Sequence, residues 1–432
     1  HALAGGLPEQ VVGLSLTAGD EAARFFAYTI ASQHYTQALE ALSQLPETPV
    51  TRHTRVETII KLVRVSWVTA DIEQTLQLLT EAEELAQILD DQSRLASIHY
   101  WIGMVYGNRY GTRQAREWAE KALAEAKELD DEEQMALASL QLGRVLSLQG
   151  RFDAAEERLT PVIPVLERTA NWEAWTDALG YLGIAQAARG WCAEGKASGQ
   201  RAVEHVRHSG EVKSYQELRA RHFRSIICLY SNDLFHMLEE SDWVVQEAEK
   251  IGDWLLVYWA YGLRSWAQSR LGEHEAALQS MTRVREVASR SGGHMICQDI
   301  LEAANAELLL ATGHVEEALT CAQGAITLAR EEVGGLLSEG IAERVQGQAL
   351  AHLARWEEAQ IHLEASVQIL RSGEALLEAA RTHVAWGLLC RDHGEQESAR
   401  THFERASVQF EASGLIRECE ALNEYLAHLC KG

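Results

Sequence analysis

The chain has 432 residues, 47% of them hydrophobic and 24% charged, and its 63 acidic side chains against 39 basic ones give a formal net charge of −24. A surface this acidic repels phosphate backbones, which excludes generic nucleic-acid binding by this segment. No run of about 18 apolar residues occurs, which excludes a membrane-spanning helix, and seven scattered cysteines without a C-x-x-C pair read as reduced thiols of a cytoplasmic protein.

Residues 1–20 read as a lead-in segment. The chain begins at His1 without a methionine and shows no signal-peptide pattern, so it is expected to be part of something larger. From residue 21 to residue 414 a repeat takes over. Small or apolar anchors recur at Ala38, Thr75, Ala115, Ala155, Gly195, Leu238, Ala277, Ala318, Ala359 and Ala399, spaced 37 to 43 residues apart. Twelve residues before the anchor stands a small residue: Gly103, Gly143, Gly183, Ala306, Gly347 or Gly387. Five residues before it stands a turn glycine: Gly150, Gly190, Gly272, Gly313 or Gly394. Further apolar residues follow at plus four and plus seven, as in Leu159 and Val162 or Phe403 and Ala406. The first two blocks and the sixth depart most from this order. Residues 415–432 close the chain with a predicted helix over Leu415–Leu429, whose Cys419, Leu422, Tyr425, Leu426 and Leu429 recur at helical spacing and should cap the last repeat.

This order describes a helix hairpin. A small residue in mid-helix lets its partner approach closely, and a glycine in the turn takes positive φ where the first helix stops. The arrangement resembles the tetratricopeptide pattern, best in the block Ile102-Gly103, Tyr106, Ala115, Ala119 and Ala122. A hairpin of this length cannot bury its apolar face alone and must stack on neighbours. The expected fold is therefore all-α: about ten hairpins in a tetratricopeptide-like right-handed superhelix with a concave surface. Prolines stop at Pro164, as closely spaced helices require.

Motifs that suggest chemistry dissolve into the repeat. Gly190 to Lys196 matches most of a phosphate-binding P-loop, but Ala197 stands where a hydroxyl should ligate magnesium, and both glycines occupy repeat positions. His274-Glu275 begins like a zincin helix, yet Leu278 replaces the second histidine. No catalytic constellation, metal site or cofactor is expected.

The centre of the chain departs from the pattern. Trp172, Trp175, Trp191, Trp243, Trp254, Trp259 and Trp266 crowd one stretch, and Arg219, Arg221, His222 and Arg224 form the densest basic run. In such arrays the first helix of each pair lines the concave side. Counting from the small-residue position selects Tyr100, Met104, Asn108, Arg144, Phe223, Ile227, Tyr230, Trp259 and Trp266, with Arg221 and Arg264 alongside. The predicted ligand site is Arg221, Arg224, Tyr230, Trp259 and Trp266. Tyr100, Asn108 and Arg144 form a second surface. A basic aromatic patch in an acidic chain suits a small anionic or aromatic molecule, or an acidic peptide or protein.

The first forty residues add a resemblance. His1-Ala-Leu-Ala4, Ala18-Gly-Asp-Glu-Ala-Ala23 and His34-Tyr35-Thr-Gln-Ala38-Leu39 resemble a stretch of the signal-transduction ATPases with numerous domains (STAND), including the maltose-regulon activator, AfsR-type regulators and cyclase-associated ATPases. There it joins the ATPase and a winged helix to a C-terminal tetratricopeptide array. The resemblance implies a sensor: an inducer binds the array and relieves autoinhibition of the ATPase domain in the same full-length chain. No nucleotide-binding motif lies in these residues, so no enzyme activity is expected of them. The alternative is a stand-alone interaction scaffold, or a peptide receptor of the quorum-sensing type.

Overall fold

The computed structural model describes residues 8–25, 27–66, 71–109, 111–208, 215–290 and 295–429. His1 to Ala4 of the lead-in and Cys430 lie outside them. Among the described residues every regular element is a helix. The chain divides into two compact units, His1–Leu142 and Gly143–Gly432.

The first unit holds α1 (Pro8–Arg24), α2 (Tyr28–Leu42), α3 (Pro49–Ser66), α4 (Ile72–Ile88), α5 (Gln92–Arg109), α6 (Thr112–Glu128) and most of α7 (Glu132–Leu148). The second unit begins with α8 (Phe152–Leu159), α9 (Val162–Arg168), α10 (Trp172–Ala188), α11 (Cys192–His208), α12 (Tyr215–Tyr230) and α13 (Leu234–Ile251). It continues through α14 (Trp254–Arg270), α15 (His274–Arg290), α16 (Gln298–Ala311), α17 (Val315–Leu328) and α18 (Leu336–His352). It ends with α19 (Trp356–Ser372), α20 (Leu376–Asp392), α21 (Gln396–Ala412) and α22 (Ile416–Leu429). The break between α8 and α9 falls at Pro161, which has no N–H to continue the ladder.

The hairpins are tetratricopeptide-like, and outside the first and sixth repeats they follow the predicted register. In the first repeat Ala31, not the expected Ala38, is the anchor: its N–H donates to Ala27 at 2.9 Å, with Gly19 twelve residues before it and Tyr35 four after. Most anchors sit where the second helix makes its first i→i−4 bond: the N–H of Ala155 donates to Arg151, that of Ala359 to Arg355 and that of Ala399 to Glu395. In the sixth repeat the anchor is Met237, whose N–H donates to Asp233 and whose side chain is fully buried. Leu238, the expected anchor, is only half-buried. The predicted register of that repeat is therefore one residue late. The corrected small residue there is Ser225, and its counterpart in the next repeat is Ser265, whose hydroxyl donates to the carbonyl of the Ala277 anchor at 2.8 Å.

The small residues of the first helices have a steric cause. A Cβ at Gly143 would stand 2.5 Å from Leu159, at Gly347 2.7 Å from Leu363 and at Gly387 2.6 Å from Phe403, each four residues past its anchor. A Cβ at Gly195 would stand 2.7 Å from the carbonyl of Gly183. Packing thus accounts for Gly195 of the P-loop-like run, and a φ of +99° in the turn accounts for Gly190. The other turn glycines also take positive φ.

In the first unit, Gly19 packs under the ring of Tyr35, where a Cβ would come within 2.6 Å. The Tyr35 hydroxyl donates to Asp20 at 2.8 Å, and Lys61 reaches the same carboxylate at 2.8 Å. The described lead-in residues therefore clasp α1 to α2 as a first hairpin.

The second unit curls back on itself. Phe152 donates its N–H to the carbonyl of Gly373 at 3.1 Å, and Leu336 donates to Gln149 at 2.9 Å. A Cβ at Gly150 would stand 2.8 Å from the Leu337 nitrogen. Charged side chains of α14, α16, α18 and α20 meet on the inner face of this turn. The C-terminal helix α22 packs Leu422, Cys419, Tyr425 and Leu426 against the α20–α21 hairpin, as expected of a cap.

Candidate functional site: an arginine–glutamate cluster beneath a cleft

The predicted site residues separate into distinct environments. Arg221 donates from Nε to Glu240 at 2.5 Å and lies over Trp243, 4.1 Å from the ring centre. Arg224 meets the other oxygen of the same carboxylate. Glu240 is 1% exposed, so both guanidiniums are paired inside the α12–α13 hairpin. Their selection rests on the basic run at 219–224, which does not show which side chains already have partners; the α12 residues that meet the first helices of other repeats are Arg219, His222 and Tyr230. Arg219 is paired with Asp177 at 2.6 Å. His222 is buried, and burial, with the nearby Arg219 charge, pushes its pKa down to about 3. Trp259 stands edge-on to His222, ring centres 6.1 Å apart.

Tyr230 and Trp266 lie elsewhere, against a cluster that the residue-type reading missed. Trp266 donates from its indole nitrogen to Glu307 at 2.7 Å, and the Tyr230 carbonyl accepts from Arg381 at 3.2 Å. Both side chains are buried. Tyr100 belongs to the first unit, edge-on to Trp101 at 5.2 Å. The Asn108 side chain lies outside the described residues. Arg144 is buried in the second unit.

The cluster consists of Arg270 on α14, Glu307 on α16, Arg344 on α18, and Glu378 and Arg381 on α20. Arg270, Glu307, Arg344 and Arg381 each follow the last by 37 residues, while the repeat advances by about 40. Each helix thus meets its neighbour about one turn earlier, and the four positions align across the inner face. Arg344 places one terminal nitrogen 2.6 Å from Glu307 and 2.8 Å from Glu378. Arg270 lies 3.5 Å from Glu307 and 3.4 Å from Glu378, and Arg381 also pairs with Glu378. Arg344 is 4% exposed and Glu378 1%. Burial works to raise the Glu378 carboxyl, but the guanidiniums of Arg381, Arg344 and Arg270 outweigh it and hold it below its usual range. Glu307 is lowered in the same way, burial being overcome by Arg270 and Arg344. Three guanidiniums against two carboxylates leave the cluster with one excess positive charge.

Above this cluster opens a cleft of about 450 Å³. Its floor is Arg270, Glu307, Arg344 and Arg381. Its walls are apolar, with Leu234, Val384, Leu388, Phe410 and Leu422. Glu418 on α22 completes the rim. Two polar atoms here are buried without a hydrogen-bond partner: Nη1 of Arg270 and Oε1 of Glu418. The size falls in the range of ligand clefts, about 300–1,000 Å³, and so does the build, apolar walls with a few convergent polar groups. Among the described residues no group of three or more His, Cys, Asp or Glu is placed to hold a metal ion. The arrangement is equipped to bind and orient a charged ligand.

The signal that finds this cluster is in the sequence. It is the 37-residue spacing of alternating or like charges, which differs from the repeat period by one helical turn.

No family model matches the chain, and no curated protein matches it. Among solved structures it is similar to aspartyl phosphate phosphatase F from Bacillus subtilis, at 11% identity over 83% of this chain and 93% of that one, with a TM-score of 0.48. A STAND protein with a tetratricopeptide repeat sensor from Pyrococcus horikoshii aligns at 15% identity over 78% of this chain and 52% of that one, with a TM-score of 0.41. A tetratricopeptide repeat protein from Parabacteroides merdae aligns at 17% identity over 67% and 98%, with a TM-score of 0.38. The assignment to an all-α array of tetratricopeptide-like hairpins rests on the hairpins themselves. No described helix is long and apolar enough to cross a membrane.

Proposed function

We propose that this chain is the inducer-sensing array of a multidomain STAND-type regulatory ATPase, in which a ligand on the inner face of the second unit relieves autoinhibition of the ATPase domain. The observation that carries the binding role is the cleft. Helices from four successive repeats align a net-positive buried cluster beneath apolar walls, and packing alone requires no unpartnered guanidinium nitrogen there. What supports the STAND assignment is the lead-in resemblance, whose Gly19, Asp20 and Tyr35 touch one another as one clasp. The site comprises Arg270, Arg344 and Arg381, with Trp266 and the Tyr230 carbonyl behind them, bonded to Glu307 and Arg381.

The test begins with small-molecule fractions of the source cells, screened for thermal stabilisation of this chain. A ligand at 100 times its Kd stabilises by about 2.7 kcal/mol. Leu388→Trp, which fills the cleft with an indole, should abolish that stabilisation while leaving the helical spectrum intact. Equal stabilisation of Leu388→Trp would place the ligand elsewhere. The active fraction should then raise ATP turnover by the full-length protein. Binding without any change in ATP turnover would favour the stand-alone receptor instead.

A further inference from the structure

We infer that the cleft above the arginine–glutamate cluster is a site for a small zwitterion with an apolar body, of the amino-acid or short-peptide class. The inference rests on the sensor reading above and adds the chemistry of the ligand.

The two unpartnered atoms are of opposite kind. Nη1 of Arg270 is a buried cationic donor, and Oε1 of Glu418 is a buried anionic acceptor. Both side chains line the same cleft. Buried polar groups are normally paired, because an unsatisfied one loses its hydration with nothing in return. The remaining charges of the cluster are committed: Arg344 to Glu307 and Glu378, Arg381 to Glu378 and the Tyr230 carbonyl. Arg270 makes only long contacts, at 3.4 and 3.5 Å, so it is the guanidinium with capacity left.

A simple anion would satisfy Arg270 but would face the Glu418 carboxylate. A simple cation would satisfy Glu418 but would face three guanidiniums. A ligand carrying both charges meets both requirements, with its carboxylate toward Arg270 and its ammonium toward Glu418. Leu234, Val384, Leu388, Phe410 and Leu422 then call for an apolar body between or beside the charged ends. The opening of about 450 Å³ admits an amino acid with a large side chain or a di- or tripeptide.

The experiment is isothermal titration of this chain with leucine, phenylalanine and the dipeptide Leu-Phe, each compared with its N-acetyl and its C-amide form. A charge-assisted hydrogen bond is worth about tenfold or more in affinity. The free zwitterion should bind, and each blocked form should bind at least about tenfold more weakly. Glu418→Gln should weaken the free form by about the same factor while leaving the N-acetyl form unchanged. Arg270→Gln should remove the preference for the free carboxylate over the amide. Melting curves of both variants separate lost binding from lost folding, and Glu418→Gln, on the cleft rim, keeps the packing of α22. Whether the amino acids or the dipeptide bind more tightly tells which member of the class is held. Equal binding of free and blocked forms, or an unchanged affinity in Glu418→Gln, would overturn the inference. So would no binding by any member of the panel while an extract fraction still stabilises the chain in a Leu388→Trp-sensitive manner. That last result leaves the sensor reading standing.

Discussion

Replacing Glu378 by alanine tests the buried cluster directly. Glu378 is 1% exposed and is the common partner of Arg270, Arg344 and Arg381. Its removal leaves three guanidiniums facing Glu307 alone. Breaking a buried ion pair by deleting one partner costs roughly 3–5 kcal/mol, because the other charge stays buried and uncompensated. Arg344, at 4% exposure, bears that penalty in full. Arg270 and Arg381, at 17% and 15%, border the cleft and recover part of theirs from water. A loss of about 4 kcal/mol is therefore expected. The second unit spans residues 143–432, and at such sizes each kcal/mol moves the melting temperature by roughly 2 °C. The variant should melt about 8 °C lower at pH 7 by calorimetry. The sign of the pH dependence follows from the lowered carboxyl. The native state binds its proton less readily than the unfolded chain, so the contribution is complete above the ordinary value of 4.5 and is lost as pH falls below it. The gap between parent and variant should stay constant from neutral pH down to about that value and then narrow. A shift under about 2 °C, or a gap that widens in acid, would refute the argument that this cluster is a buried, mutually compensated unit.

Three further outcomes are expected. Ala155→Trp and Ala359→Trp, both at fully buried hairpin crossings, should each cost roughly 1–3 kcal/mol or more in denaturant unfolding; an unchanged midpoint in both would mean the register is wrong. Ala354 holds φ at +58° in the turn before α19, so Ala354→Gly should stabilise by up to about 1 kcal/mol, since the strain removed exceeds the glycine entropy lost; destabilisation would mean that turn is unstrained. His222 is kept neutral by burial, with its pKa at about 3 against the usual 6.5, so the unfolded chain takes up its proton first on acidification. Its contribution is present above pH 6.5 and is lost as pH falls toward 3, at up to about 1.4 kcal/mol per pH unit. Urea midpoints of His222→Gln measured between pH 6.5 and 4 should fall less steeply than those of the parent, and parallel curves would count against a buried neutral imidazole.

Periodicity determined most of the hairpin architecture. The glycines twelve residues before several anchors are readable because the residue four past the anchor occupies the space of the missing Cβ, as Leu159 does over Gly143. The turn glycines are readable because a left-handed backbone favours them, and the C-terminal helix because Cys419, Leu422, Tyr425 and Leu426 share one face. These are local constraints between residues within one hairpin or its neighbour. Where the local signal was thin the register slipped: Leu238 stood in for Met237 and Ala38 for Ala31. Arg221 and Arg224 come from the basic run and not from the register, and both lie on the side that faces α13. The Glu240 that pairs them sits on the next helix, and residue type alone does not show which basic side chains already have partners. The curl of the second unit belongs to tertiary structure. It brings the turn at Gly150 to Leu337 and Gly373, joins residues about 190 to 220 positions apart, and makes an enclosed inner face of what the repeat alone describes as a concave surface. The 37-residue ladder of charge is present in the sequence, but it acquires meaning only when the tilt between successive helices brings those positions level, because a Coulomb interaction depends on distance in space and not on distance along the chain.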